Sequence, residues 1–424
     1  MKNFLTILLV AIPLAAQISP VPLTLAQARQ LALAHNPQIA AARHDLAAAE
    51  ARIKIARSSL YPRVTFSGIA KAGLSGATNS LGLIGLPNSP FYRNFAASLN
   101  LSQTIFDFGQ RTALIDAAER RRQAAAADLA NTQAAVCFEV ERAYWKLLRA
   151  QLLTTGSDEL LKARRGAVRK AEVFYAAQYR SGLAVDEARS ALALAQVEAQ
   201  QRSLDTQQIN TELSVALGQS GKTTYLIAQP PLEKLLVDDV DALIQSAYLH
   251  RPDLTALHAR RQAAEAYLRF THNLRRPSLS LALAGGYARF STLLLRELTA
   301  AGLGLTVPLF TGKDIDGQSE EAAAQLASLS SQEDALREKI LLEVSTAALH
   351  YRAVVAAMAQ LDSKEFLMQA DYRLASQSQR QGMVSSVDLD RTQAALTEAK
   401  IQRQAAEFMI QLAVADVHFT TGQM

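Results

Sequence analysis

Proline is missing from two long parts of the 424-residue chain, and this absence is the strongest structural signal in the sequence. All 12 prolines lie outside residues 91–229 and 309–424, although these two stretches make up more than half of the chain. Proline disrupts a helix interior because it lacks an N–H group and its ring clashes with the preceding turn. Both stretches are therefore predicted to be mainly helical.

Cysteine is almost absent as well. The single cysteine, Cys137, excludes an internal disulfide, and its position in a helical stretch is typical of a small buried apolar residue. The net charge is only +5, and the basic residues are interspersed with glutamates and glutamines, as on solvated helix faces. Since neither interleaved aromatic residues nor a known binding module accompanies them, the sequence predicts no nucleic-acid partner.

Long apolar runs are confined to the N-terminus. Lys2 is followed by an apolar run from Phe4 to Ala16, and this pattern predicts a signal peptide over residues 1–16. No other stretch has the ~18 consecutive apolar residues that a membrane-spanning helix needs. If the chain enters a membrane, we therefore expect it to do so with β-strands.

The second proline-free stretch carries an apolar seam with alternating spacings of three and four residues, the pattern of a coiled coil. The seam consists of Leu389, Thr392, Leu396, Ala399, Arg403, Ala406, Ile410, Ala413 and Val417, of which Thr392 and Arg403 fit imperfectly. A similar register in the first stretch contains Leu129, Val136, Val140, Ala143, Leu147 and Ala150. Continuous helices between Gly109 and Gly182 and between Gly312 and Gly382 would each span roughly 105–110 Å at ~1.5 Å per residue. Helices of this length predict a rod-like or tubular body.

The sequence also contains an internal repeat. His35, Pro37 and Pro62 recur 215 residues later as His250, Pro252 and Pro277. A repeat of this kind predicts two similar structural units. We place them at residues 17–239 and 240–424, each with a helix, two strands and a long helical hairpin. The first ends in a connecting segment from Gly218 to Asp239.

Each repeat contains two segments in which apolar residues alternate with small or polar ones, as in amphipathic β-strands. The four segments are Val64–Lys71, Phe95–Ser102, Leu279–Ala284 and Leu303–Leu309. Aromatic residues lie at both ends of them, as in outer-membrane strands: Tyr61, Phe106, Phe108 and Phe310 on the helix side, and Phe91, Tyr92, Tyr287 and Phe290 on the loop side. Four strands cannot close a membrane barrel, and open edges are not tolerated in lipid. We therefore expect two or three chains to share one barrel.

In these respects the chain resembles the TolC-like family of outer-membrane efflux proteins over nearly its whole mature length. The matching motifs are Leu23–Ala28, Asn36-Pro37, Tyr61-Pro62, Ile105–Gly109, Pro308–Gly312 and the hairpin glycines Gly182 and Gly382. The resemblance implies a mainly α fold with a small β part, in which long coiled-coil hairpins accompany four β-strands per chain. It further implies a homotrimer whose twelve-stranded β-barrel lies in outer-membrane lipid and whose helical tunnel extends into the periplasm. The implied partners are a periplasmic adaptor protein and an inner-membrane transporter.

The resemblance also assigns candidate functional residues. The turns at Gly182 and Gly382 would form the periplasmic tips around the tunnel entrance, with Asp186 in the first hairpin and Asp388 in the second. Relatives with a second acidic ring carry another acid three residues further on, where this chain has Arg391, at a spacing that would allow it to pair with Asp388. The membrane boundary would be marked by Tyr61, Pro62, Phe106, Phe108, Pro277 and Phe310.

The sequence has no arrangement typical of an enzyme. Residues 218–223 resemble the end of a phosphate-binding loop, but Ala216 stands where the motif needs glycine, and a predicted helix precedes it instead of a strand. The histidines lack metal-ligand spacing, so we predict no catalytic, cofactor-binding or metal-binding residue.

The function that fits best is therefore a passive exit duct of a tripartite efflux or secretion system. Drugs, metals, proteins and siderophores all stay open as cargo. The alternatives are a secreted periplasmic coiled-coil scaffold without membrane insertion and an enzyme that uses the phosphate-loop fragment.

Overall fold

A computed structural model describes residues 21–74, 91–179, 181–219, 225–235, 239–289, 297–381 and 383–424. The predicted signal peptide, Gly382 and Phe290 lie outside the described residues. So do most of the loop predicted between the first two strands and the side chains of Phe91 and Tyr92.

The described chain is mainly helical. Its helices are α1 (Leu25–His35), α2 (Pro37–Ser58), α3 (Gln110–Ala176), α4 (Gly182–Ala216), α5 (Val240–His250), α6 (Pro252–Asn273), α7 (Asp314–Arg380) and α8 (Ser386–Thr420). The breaks between α1 and α2 and between α5 and α6 precede Pro37 and Pro252, because the residue before a proline is disfavoured in helical conformation.

The two halves of the chain repeat element by element. α1 and α2 have 11 and 22 residues, and so do α5 and α6. α3 and α4 have 67 and 35 residues, and so do α7 and α8. Left-handed backbone positions recur 204 residues apart, in the pairs Phe108–Gly312, Gly109–Lys313 and Gly218–Gly422. The same offset therefore relates each residue of α3 and α4 to its counterpart in α7 and α8.

The strands form two sheets. They are β1 (Val21–Leu23), β2 (Arg63–Leu74), β3 (Phe91–Phe106), β4 (Tyr225–Ile227), β5 (Ser278–Arg289) and β6 (Glu297–Thr306). Four of them form an antiparallel sheet in the order β2-β3-β5-β6. The strand predicted to end at Leu309 ends at Thr306 instead, because Pro308 has no N–H group for the ladder.

The register of this sheet places most of the large apolar residues of the four strands on one face, with Ile69 on the other. Leu101 lies opposite Val64 on β2 and opposite Leu283 on β5, and Leu283 in turn lies opposite Ala301 on β6. The other face carries small and polar residues, such as Asn100 opposite Thr65 and Ala284. The predicted alternation is therefore continuous across the sheet.

The parallel pair β1 and β4 was not predicted. The buried hydroxyl of Tyr144 on α3 donates to the carbonyl oxygen of Leu23 (3.0 Å), the last residue of β1, and to that of Ala228 (2.5 Å), which directly follows β4. The N–H of Ala228 donates to the same Leu23 oxygen at 3.3 Å. One side chain thus fixes both segments to α3.

The segment that connects the halves is also fixed by side chains. The carboxamide of Gln411 accepts from the N–H of Glu233 (3.1 Å) and donates to its carbonyl oxygen (2.8 Å). The hydroxyl of Tyr351 makes the same pair of bonds with Leu235, at 3.1 and 2.7 Å. Two buried side chains therefore satisfy this extended backbone as a neighbouring strand would.

The chain divides into two compact units, which cut across the sequence repeat. Of the described residues, the helical unit contains those up to Ala40 with Thr132–His250 and Ile340–Met424. The sheet unit contains those within Ala41–Asn131 and Arg251–Lys339. Each unit combines corresponding parts of both halves. The predicted boundary between the two sequence repeats, after residue 239, does not separate these units and stays a prediction.

The predicted coiled-coil seams form the core of the helical unit. The exposed fractions of Leu396, Ala399, Ala413 and Val417 on α8 lie between 1 and 8%, and the first seam is buried from Val136 to Ala150 at its apolar positions. α7 includes an 18-residue stretch apolar enough to cross a membrane, with a mean hydropathy of 1.3. One such helix is weak evidence for a span, because only its length and composition meet the criterion.

Candidate functional site: hairpin tips and sheet ends

The first hairpin tip is closed by Gln178. This residue has a φ of 60°, and the N–H of Tyr179 donates to the Phe174 carbonyl at 2.9 Å, the bond pattern that ends a helix with a left-handed residue. Gly182 is instead the first residue of α4, after Ser181 at the N-cap. The turn thus precedes Gly182, and the counterpart of Gly382 at the 204-residue offset is Gln178.

The second tip has the same closing bond, from the N–H of Met383 to the Ser378 carbonyl at 2.9 Å. α8 then begins with Ser385 at its N-cap, whose hydroxyl oxygen accepts from the N–H of Asp388 (3.2 Å). The same hydroxyl donates to the Asp388 carboxylate (2.6 Å). Asp388 therefore stabilises the start of α8, where a negative charge is also favoured by the helix dipole.

The predicted pairing of Arg391 with Asp388 is not seen. In the described residues Asp388 bonds to its own N-cap, and Arg391 is exposed without an ion pair to it. The acid that joins the two hairpins is Asp390, which pairs with Lys170 on α3 at 2.5 Å. Asp186 is also exposed and corresponds to Asp390, not to Asp388. The ion pair depends on the packing of α8 on α3, so no local sequence signal marks it.

Large apolar side chains are exposed around both tips. Tyr179 is 81% exposed, Leu183 67% and Met383 70%. Both tips therefore offer large apolar side chains for contact with another molecule.

The four helix-side aromatic residues at the sheet ends are also exposed. Their exposed fractions are 70% for Tyr61, 53% for Phe106, 43% for Phe108 and 88% for Phe310. Pro62 and Pro277 lie directly before β2 and β5. The residues predicted to mark the membrane boundary therefore all lie at the ends of strands.

Asp107 organises the turn from β3 into α3, a role that the sequence prediction missed. Its buried carboxylate accepts from the N–H of Gly109 (3.2 Å), the N–H of Arg111 (3.0 Å) and Nε of Arg111 (2.7 Å). These bonds hold the left-handed residues Phe108 and Gly109 in place. The aspartate in Ile105–Gly109, directly before a predicted helix, is the signal that indicates such a cap.

The apolar face of the sheet is open to solvent in the single chain. Phe66 is 74% exposed, Leu99 55% and Leu303 68%. The outer strands β2 and β6 each have one neighbour in the sheet, so each leaves one edge unpaired in the described chain. A sheet with this exposure is incomplete on its own.

The residue types that could serve enzymatic or metal chemistry are the metal-ligand side chains, the phosphate-loop fragment and Cys137. Within the described ranges no three His, Cys, Asp or Glu side chains are placed to hold a metal ion. Residues 220–224 of the phosphate-loop fragment lie outside them. Gly218 ends α4 with a φ of 75°, and a Cβ there would lie 2.6 Å from the His35 carbonyl oxygen, so the backbone approach requires glycine. Burial raises the pKa of the Cys137 thiol, which disfavours the reactive thiolate.

Two stretches that together cover most of the chain match a known family. Residues 28–219 and 243–423 match the sequence profile described as "Outer membrane efflux protein". The chain belongs to the outer membrane efflux protein family. This confirms the family resemblance that the motifs indicated, and membership of a family of efflux proteins agrees with the prediction that the chain is not an enzyme.

A curated relative is Protein CyaE of Bordetella pertussis (strain Tohama I). It is 29% identical over 310 residues, which cover 68% of this chain. The match spans 61% of the length of CyaE.

Solved structures share the fold. The CmeC outer membrane channel of Campylobacter jejuni has a TM-score of 0.81 at 16% identity, over 94% of this chain and 85% of that one. The outer membrane protein VceC of Vibrio cholerae has a TM-score of 0.76 at 21% identity, over 94% and 96% of the two chains. The predicted fold class, mainly α with a small four-stranded sheet, is therefore confirmed.

Proposed function

We propose that this efflux protein is a homotrimeric outer-membrane channel that extends into the periplasm. It acts as the passive exit duct of a tripartite system, docked to a periplasmic adaptor and an inner-membrane transporter. The observation that carries the proposal is the incomplete sheet, with its exposed apolar face and two unpaired edges.

The strand order supports closure by further copies. Neighbouring strands are antiparallel throughout, so β6 of one copy continues the same alternation when it pairs with β2 of the next. Such a head-to-tail contact closes into a ring. Three copies give twelve strands, enough to leave a channel, with the apolar face toward lipid and the small and polar face toward the lumen.

Mass measurement in detergent tests the assembly. We expect the protein in the outer-membrane fraction, with a detergent-corrected mass of three chains. A soluble periplasmic monomer that needs no detergent would overturn the proposal and support the coiled-coil scaffold.

The entrance of the duct is proposed to lie at the hairpin tips, where each copy contributes Asp388, Asp186 and Arg391. Three exposed Asp388 carboxylates around a pore attract cations, and low-dielectric walls strengthen their field. Since Arg391 makes no ion pair with Asp388, each charge contributes separately to the potential.

Bilayer conductance of single variants tests this entrance. Asp388→Asn removes the charge but keeps an oxygen for the Ser385 hydroxyl, and it should lower cation preference. Arg391→Gln should raise it, while Glu398→Gln, further along α8, serves as the matched control. Selectivity equal to that of the control in both tip variants would remove these residues from the entrance.

A further inference from the structure

We infer that a groove between α3 and α4 binds a small zwitterion, such as a short peptide with free termini. Such a site goes beyond the proposed duct and does not depend on its oligomeric state. The volume of the groove, the charges of its two walls and the sequence of the second hairpin support it.

The groove lies within the helical unit and is formed by side chains of both helices. Its volume is about 300 Å³, at the lower end of the range for pockets that hold small molecules. The α3 wall carries two cations, Lys146 and Arg149. The α4 wall carries two carboxylates, Asp205 and Glu212, together with a third cation, Arg202.

The two walls have opposite charges that do not pair with each other. In the described part of the chain, the side chains of the two α3 cations and of Asp205 make no hydrogen bond or ion pair. The other two charged groups have partners on their own helix: Glu212 accepts from Gln208 at 3.3 Å, and Arg202 lies 3.6 Å from Glu198. Three charged side chains that face the groove are therefore available to a ligand.

A ligand with a carboxylate at one end and an ammonium group at the other matches both walls. The carboxylate would accept charge-assisted hydrogen bonds from Lys146 and Arg149, and the guanidinium can bind it with two parallel bonds. The ammonium group would donate to Asp205 and Glu212. An ion of one sign is attracted by one wall and repelled by the other, so the two walls together favour a zwitterion.

The second hairpin shows that two long helices pack without these charges. At the 204-residue offset, three of the five charged positions carry apolar residues. These are Ala353, Ala406 and Met409, the counterparts of Arg149, Arg202 and Asp205. Because the corresponding helices have equal lengths, the charges of the first hairpin are not a general requirement of the helical packing. They distinguish the groove of the first hairpin, as a binding site would.

Three forms of one tripeptide test the ligand class. The probes are trialanine with free termini, its N-acetylated form, which lacks the ammonium group, and its C-terminal amide, which lacks the carboxylate. Their binding to the full-length protein in detergent is measured by calorimetry at low ionic strength, where charge interactions are least screened. We expect the free tripeptide to bind several-fold more tightly than either capped form. Equal affinities for all three forms, or no binding at millimolar concentration, would overturn the inference.

Paired substitutions test the two walls separately. Lys146→Gln with Arg149→Gln should weaken binding of the free and N-acetylated forms several-fold and leave the amide unaffected. Asp205→Asn with Glu212→Gln should weaken binding of the free form and the amide and leave the N-acetylated form unaffected. A ligand bound elsewhere on the protein would not show this exchange of sensitivities.

The matched controls are Lys162→Gln and Glu159→Gln, at exposed positions of α3 outside the groove. Both should bind the free tripeptide as the wild type does. If the wall variants bind it equally well, the groove is only a solvated gap between two helices. A trimer that does not discriminate the probes overturns this inference and leaves the proposed function intact, whereas a monomer that discriminates them overturns only the proposed function.

Discussion

Arg403→Met tests how the seam of α7 and α8 accommodates a charge at one of its heptad positions. Arg403 is 35% exposed, and its Nε lies 2.7 Å from Asp362 and 3.5 Å from Glu365. Its Nη1 lies 3.1 Å from Glu407 on its own helix. The hydrogen bond to Asp362 raises the pKa of Arg403, so the guanidinium stays charged.

The magnitude follows from the three ion pairs. Partly exposed pairs contribute about 0.2–1 kcal/mol each, so losing all three costs roughly 0.6–3 kcal/mol. Methionine keeps the apolar contacts of the arginine stem, so the loss reports mainly on charge. The substitution leaves three carboxylates facing one another, and their repulsion disappears when they are protonated. The deficit should therefore be largest at neutral pH and shrink toward pH 4.

Trp145 provides the assay, because it is the single tryptophan and packs near Phe408 on α8. Its fluorescence during urea unfolding gives the midpoint for wild type and variant at each pH. Arg391→Met is the matched control, since Arg391 is an exposed arginine on the same helix. If both variants unfold at the same urea concentration, or if the Arg403→Met deficit does not change with pH, the ion pairs do not stabilise the seam.

Two further predictions concern buried groups. Leu396→Asp should prevent assembly because it buries an unpaired charge at a position only 8% exposed. Gln404→Asp, on the exposed face, is the control and should assemble normally. Equal yields of trimer from Leu396→Asp and Gln404→Asp would show that the seam is wrongly assigned. Gln402 is unsuitable as the control because it bonds to Lys364 at 2.8 Å. Burial raises the pKa of Tyr144 from 10.0 to about 12, so the folded chain favours the neutral phenol. The neutral phenol therefore contributes to the free energy of unfolding below pH 10, and this contribution is lost as the pH rises from about 10 to 12. Tyr144→Phe should lower the urea midpoint at pH 8 and make the midpoint fall less steeply above pH 10. A midpoint that falls as steeply in the variant as in wild type would show that Tyr144 does not cause the fall.

The long helices and the sheet could be predicted because their signals are local and repeated. The absence of proline indicated the long helices, and the heptad spacing indicated the packed faces of α3 and α8. Alternation indicated four strands whose apolar faces coincide in the sheet. The sequence predicts the first tip at Gly182, which lies directly after the turn, whereas the left-handed residue is Gln178, a residue type that rarely adopts this conformation. Backbone hydrogen bonds from the N–H groups of Gln178 and Tyr179 to the carbonyls of Tyr175 and Phe174 close the turn at this exposed residue.

The contacts of the candidate site were less predictable. The cap between Ser385 and Asp388 is readable from a spacing of three residues. In contrast, the pairing of Asp390 with Lys170 joins residues 220 positions apart and depends on the packing of α8 on α3. β1 and β4 have three residues each, too short for any periodicity, and they are held by the hydroxyl of Tyr144.

The equal lengths of corresponding helices restrict how such a chain can change in evolution. One added heptad in each arm of the α3–α4 hairpin would move its tip by about 10 Å. The heptad register would survive, but Lys170 would lose Asp390, and the two kinds of tip would no longer end at one level. A change in the length of one hairpin therefore keeps this contact between the tips only when the other hairpin gains or loses the same number of residues.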